Sequence, residues 1–149
     1  LRENITMGWP EADDDVLRLA AERACALDFI HALPDGFDTE VGEFGSRLSA
    51  GQRQRVALAS VLLRDPAVLL LDEPTTNLDH EAEAALCQQL RQLATDHTVL
   101  VVTHSPVLLS ACGGIIALAS GGQLQAAGSA AEVLPKLGMT RPRQAADSP

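Results

Sequence analysis

The sequence is nearly without lysine. Ten of its 11 basic residues are arginine and only Lys136 is lysine, so any chemistry that needs an amine has a single candidate. Tyrosine is absent, and aromatic residues make up 3% of the 149. With 46% apolar residues, the core must therefore be aliphatic. Basic charge is also scarce, since 11 Lys and Arg stand against 20 Asp and Glu for a formal charge of −9. A nucleic-acid partner needs a basic stripe, and this balance argues against one. Cysteines number 3 (Cys25, Cys87 and Cys112), an odd count with no close spacing. That pattern fits buried thiols in a reducing compartment better than a disulfide framework or a metal site. The four histidines form no HExxH pattern. Long apolar runs are lacking too. The densest stretch, Val107 to Ala119, contains Gly113-Gly114 and is far shorter than the ~20 apolar residues of a membrane span. The chain begins at Leu1 with neither a charged nor an apolar leader region, and reads as a piece of something longer rather than as a signal peptide.

What is present alternates between helical and strand patterns. Glu11 to Asp15 place acids ahead of Val16, Leu19, Ala20, Ala24 and Leu27, which predicts a helix fading near His31 to Pro34. A glycine-punctuated loop follows over Phe37 to Leu48. Ser49 starts a second helix, to about Leu63 or Arg64, and Asp65-Pro66 ends it. Val68 to Leu71 is a short continuous apolar run, as in a strand buried on both faces. Asp79 caps a third helix to about Ala94, and Thr98 to Val102 is a second buried strand. Ser105-Pro106 opens a short helix. Ile115 to Leu118 and Gln123 to Ala126 form a hairpin across Gly121-Gly122, and Ala130 to Leu137 a last helix. Strands alternating with helices give an α/β sheet. The expected division is a helical subdomain over 1–65, a sheet core over 66–137 and a flexible tail over 138–149.

Three local patterns bear on chemistry. Asp72-Glu73 closes the first strand, at the edge where open α/β sheets keep their ligands. An Asp there can hold Mg²⁺ and a neighbouring acid can activate water, although a strand simply ending in solvated acids looks the same. Ser49 and Gln52 satisfy the S/T-x-x-E/Q capping box. The same Ser49-Ala50-Gly51-Gln52 segment at a helix N-terminus also suits an anion such as a phosphate already held elsewhere. His104 follows the second strand and can reach the crevice at its C-terminal end, or serve as a hydrogen-bonded structural residue.

Order and spacing together are more specific. Leu48-Ser49-Ala50-Gly51-Gln52, a helix, Leu69-Leu70-Leu71-Asp72-Glu73, Asn77-Leu78-Asp79 and a strand ending in Thr103-His104 resemble the C-terminal part of the ATP-binding domain of an ABC transporter. The resemblance implies a partial P-loop NTPase (RecA-like) core of parallel strands with an α-helical signature subdomain. It implies that Ser49 and Gly51, beside Ala50 and Gln52, meet the γ-phosphate of ATP held by a second nucleotide-binding domain in a head-to-tail dimer. Ala50 departs from the usual glycine. It further implies Asp72 on the Mg²⁺ side, Glu73 as the catalytic glutamate, Asp79 in the D-loop at the dimer interface, and His104 as the switch histidine. Thr39 to Gly45 (TEVGEFG) is similar to the exporter segment that lies against the transmembrane domains.

The family's phosphate cradle, GxxxxGK[ST], has no match in the chain, because Lys136 follows Leu134-Pro135 with no glycine loop. The reading that follows is a fragment of an exporter's ATPase subunit, placed at the cytoplasmic face of the plasma (inner) membrane. Such a fragment is expected to be inactive alone. The alternative is a truncated, non-catalytic module that only dimerises or binds transmembrane domains.

Overall fold

The structure, a computed structural model, describes residues 1–7, 9–76 and 78–139. Its elements run in the order α1 (Arg2–Ile5), α2 (Asp14–Arg23), α3 (Leu27–His31), α4 (Ala50–Leu62), β1 (Val68–Asp72), α5 (His80–Leu93), β2 (Thr98–Val102), α6 (Pro106–Ala111), β3 (Ile115–Leu118), β4 (Leu124–Gly128) and α7 (Ala130–Val133). Single 3₁₀ turns cover Gly36–Asp38, Glu43–Gly45 and Pro135–Leu137. Among the described residues the chain divides into two compact units, 1–70 with 92–100, and 71–91 with 101–139.

In the first unit α4 packs against α1 and α2. The buried side chains are aliphatic, among them Ile5, Leu17, Ala20, Ile30, Val56, Ala59 and Leu62, as the shortage of aromatics requires. Asp13 caps α2 by accepting from the Asp15 N–H, with Asp14 and Asp15 in the positively polarised first turn. The expected long helix is broken, however. It stops at Arg23 and restarts as α3 at Leu27. Cys25 takes a left-handed φ of 49°. The Ala26 N–H then reaches Ala21 O at 2.8 Å and the Cys25 N–H reaches Glu22 O at 2.9 Å. These are the paired bonds of a Schellman C-cap, built on a residue other than glycine. At the end of α4, Asp65 is also left-handed (φ 46°) and pairs with Arg23 at 2.9 Å. Nδ1 of the buried His97 lies 2.7 Å from Pro66 O, beside the start of β1.

β1 and β2 form a two-stranded sheet. Thr98 N–H donates to Ala67 O at the start and Glu73 N–H to Val102 O at the end, so both strands advance in the same direction. The expectation that both strands are buried on both faces is not met. Leu69 is 1% exposed, but Val68 and Leu70 are 61% and 67% exposed, and Leu100 and Val102 are likewise open. A continuous apolar run allows two covered faces, but here alternate residues have no cover.

In the second unit β3 and β4 pair antiparallel, with Ile115 opposite Gly128 and Ala117 opposite Ala126. Ile115, Ala130, Val133 and Leu134 make a small core joined by Leu109, Cys112 and Leu137. Ser129 and Glu132 form a capping box on α7, and those bonds hold the exposed Glu132 carboxyl below the usual carboxylate range. The expected helix over 130–137 splits at Pro135, which begins a 3₁₀ turn ending at left-handed Gly138. The expected tail beyond Met139 lies outside the described residues. Among the described residues no helix is long and apolar enough to cross a membrane.

Candidate functional site

The second unit brings together two of the residues singled out from sequence. β1 ends at Asp72, an exposed carboxylate. Glu73 follows with a left-handed φ of 45°, a conformation that costs an L-residue about 1–2 kcal/mol. Its N–H is fixed to Val102 O at 2.8 Å, and its carbonyl accepts from Thr76 N–H at 3.1 Å. The turn aims the side chain beside the end of β2. There Glu73 Oε1 lies 3.6 Å from His104 Nε2, too long for a hydrogen bond but close enough for both groups to address one reacting atom. Glu73 is 36% exposed and His104 95% exposed, so packing does not hold the imidazole and the backbone sets only where it starts.

Asp79 stands at the start of α5, where its carboxylate accepts from Ala82 N–H at 2.8 Å. Of the other expected D-loop residues, Asn77 lies outside the described residues. Four residues after Asp79, Glu83 accepts a 2.5 Å hydrogen bond from Ser105 Oγ. Sequence reasoning missed this pair. The partners are 22 residues apart, and no local spacing announces them.

The signature residues belong to the first unit, where they start α4. Ser49 Oγ accepts from Gln52 N–H at 3.2 Å, and Gln52 Oε1 accepts from Ser49 N–H at 2.9 Å. Both halves of the capping box are therefore made. The anion reading survives alongside it. The Ser49 hydroxyl uses a lone pair on Gln52, which leaves its own proton to donate. The N–H groups of Ala50 and Gly51 lie in the first turn, where helix geometry supplies no acceptor and the macrodipole is positive. Nearby arginines are tied to backbone. Arg53 donates to Leu48 O at 2.5 Å, while Arg55 donates to Gly51 O at 3.3 Å with its guanidinium 5.4 Å from the Phe29 ring centroid.

Thr39 to Gly45 turns sharply through left-handed Gly42 (φ 73°), Phe44 (φ 52°) and Gly45 (φ 68°). A Cβ at Gly42 would sit 2.7 Å from Ser46 Oγ, so glycine is required there on two counts. Phe44 is wholly exposed at the tip, and the Arg53 side chain lies against Gly45, linking this loop to the start of α4.

No cluster of three or more His, Cys, Asp or Glu side chains suited to a metal exists among the described residues. Asp72 offers one exposed carboxylate. That donor set suits Mg²⁺, which keeps most of its water and takes one or two carboxylates with substrate phosphates, and it does not suit a protein-caged ion.

Residues 13–110 match the family described as "AAA domain, putative AbiEii toxin, Type IV TA system". The chain belongs to this AAA domain family. Among curated relatives, it is 43% identical to an "Uncharacterized ABC transporter ATP-binding protein" of Haemophilus influenzae, over 93% of the chain and 23% of that protein. It is 42% identical to the "Mitochondrial potassium channel ATP-binding subunit" of Mus musculus, over 93% of the chain and 19% of that protein. Among solved structures, a bacterial Atm1-family ABC exporter with ATP bound matches with a TM-score of 0.79 and 36% identity, over 92% of the chain and 24% of the exporter. The ABC resemblance read from the motifs is thus borne out, as is the fold class: α/β with a parallel strand pair, as in the nucleotide-binding domain of an ABC exporter. The chain spans about a quarter or less of the length of these relatives.

Proposed function

We propose that this AAA domain is part of the ATP-binding and ATP-hydrolysing subunit of an ABC exporter, working at the cytoplasmic face of a membrane. The observation that carries the reading is the pairing of Glu73 with His104 at 3.6 Å, where β1 and β2 end. Ligands of open α/β sheets bind at such strand ends. In this reading the half-buried Glu73 carboxylate orients and deprotonates the attacking water, and His104 reaches toward the γ-phosphate of ATP. Asp72 would hold Mg²⁺, whose charge would offset the phosphates when it is bound. Glu73 is not spent on a structural bond to the imidazole and stays available to water.

Ser49 and Gly51, at the start of α4 beside Ala50 and Gln52, would bind the γ-phosphate of ATP held by a second nucleotide-binding domain. The Ser49 proton and the first-turn N–H groups supply the donors. A hydroxyl and N–H groups without a lysine suit a phosphate whose charge is mostly met elsewhere, which supports a head-to-tail dimer. Asp79 would lie at that interface. Thr39 to Gly45, with Phe44 projecting, would meet the transmembrane domains. The chain holds no lysine-bearing phosphate loop, so by itself it should not hydrolyse ATP.

The test is Glu73→Gln in the full-length subunit. Loss of the base should lower ATP turnover by about 10²–10⁴-fold. The shape-conserving amide should leave ATP binding by calorimetry unchanged. Turnover at the wild-type rate would remove Glu73 from the role and the reading with it.

A further inference from the structure

His104 presents a physical problem. Its side chain is 95% exposed and has no hydrogen bond among the described contacts, yet a switch histidine must point in one direction. What orients it must act through the backbone of residues 103–105. That backbone is clamped. Thr103 Oγ1 accepts from Ser105 N–H at 3.0 Å, bridging over His104. Ser105 Oγ caps α6 by accepting from Leu108 N–H at 3.1 Å. The same hydroxyl donates its proton to Glu83 Oε1 at 2.5 Å.

Glu83 is otherwise hard to explain. Its side chain is only 16% exposed, and burying a carboxylate costs free energy unless strong hydrogen bonds meet it. Its other oxygen lies 3.9 Å from His80, a residue fully exposed on the same helix turn. The Ser105 hydroxyl is thus its one short side-chain hydrogen bond among the described contacts, and a charge-assisted one. Glu83 also sits one turn after Asp79, since Glu83 N–H donates to Asp79 O at 2.9 Å.

We propose that Glu83 is a positioning residue: through Ser105 it ties the start of α5 to the loop that carries His104, and so fixes the imidazole beside Glu73. The inference rests on the ATPase reading above. It adds that whatever moves Asp79 at the start of α5 also moves His104, because one helix turn and one hydrogen bond join them.

The experiment measures steady-state ATP turnover of the full-length subunit in its assembled transporter. Misplacing a catalytic group by about 1 Å can cost ~10²-fold, so Glu83→Ala should lower kcat roughly 10- to 100-fold. KM for ATP should stay within about twofold, since ground-state binding is untouched. Ser105→Gly keeps a tolerated N-cap but deletes the hydroxyl, and should show the same split even if Glu83→Ala fails to fold. Ser105→Thr keeps the hydroxyl and should retain most of the rate. In a His104→Ala background, removing the Ser105 hydroxyl should cause little further loss, because residues acting as one unit are not additive. An unchanged kcat in Ser105→Gly, or a loss that multiplies with that of His104→Ala, would overturn the proposal. Wild type and Glu73→Gln run beside these variants. Full turnover in Glu73→Gln would instead indict the ATPase reading itself.

Discussion

If the proposed ATPase reading holds, Glu73 answers to chemistry rather than to stability. It occupies the left-handed region that glycine or asparagine would take at lower cost, and it keeps a half-buried carboxylate beside an imidazole. Such strain persists where the surroundings over-determine it, here through the bond from Glu73 N–H to Val102 O. The cysteines differ from one another in the same local way. Burial pushes the Cys87 and Cys112 thiols up from their ordinary value, whereas Cys25 is exposed. The thiolate is the nucleophile, so a raised pKa means less of it at neutral pH. Iodoacetamide at pH 7.5 should therefore modify Cys25 first. Cys87 and Cys112 should react only as pH is raised or the fold is opened, which peptide mass spectrometry over time would read. Early labelling of Cys87 would contradict its burial. The sequence suggested buried thiols for all three; Cys87 is buried, Cys112 is half-buried, and at Cys25 that expectation fails. Cys25 is the C′ residue of a helix cap, a position set by backbone conformation rather than by hydrophobicity.

At the scale of elements, local spacing was a good guide wherever the stabilising groups are close in sequence. Ser49 and Gln52 form the capping box that their spacing announces, as do Ser129 and Glu132. Asp13 and Asp79 start their helices because a short carboxylate reaches an N–H two or three residues on. Helix ends were less legible. The stop at Arg23 uses Cys25 where glycine or asparagine is the usual signal, so the apolar periodicity runs on across it without warning. Replacing Cys25 by Asn should relieve the left-handed penalty. We expect stabilisation by about 0.5–1 kcal/mol, seen as a higher Tm in calorimetry. A lower Tm would mean that the cysteine side chain makes contacts worth more than the strain.

For the whole molecule, the exposed apolar residues of β1 and β2 matter most. Val68, Leu70 and Leu100 are more than half exposed, on strands whose composition is that of a buried sheet. Exposed apolar surface of this kind promotes association. The chain alone should therefore sediment as concentration-dependent oligomers. Leu70→Lys combined with Leu100→Lys should shift it toward the monomer, since a charge placed in an apolar contact must be desolvated. Monomeric wild type at all concentrations would show that these residues are tolerated in water as they stand.

Residue order alone was enough for the α/β class, the capped signature helix and the ends of both strands as the place for Asp72, Glu73 and His104. Those features depend on neighbours within a few residues, or on motifs whose spacing is itself the signal. Three others depend on tertiary structure: the approach of Glu73 to His104, the open faces of β1 and β2, and the Glu83–Ser105 bond. Each depends on parts of the chain tens of residues apart. A side chain's partner across such a gap is set by how strands pair and helices pack, and single-residue patterns do not record that.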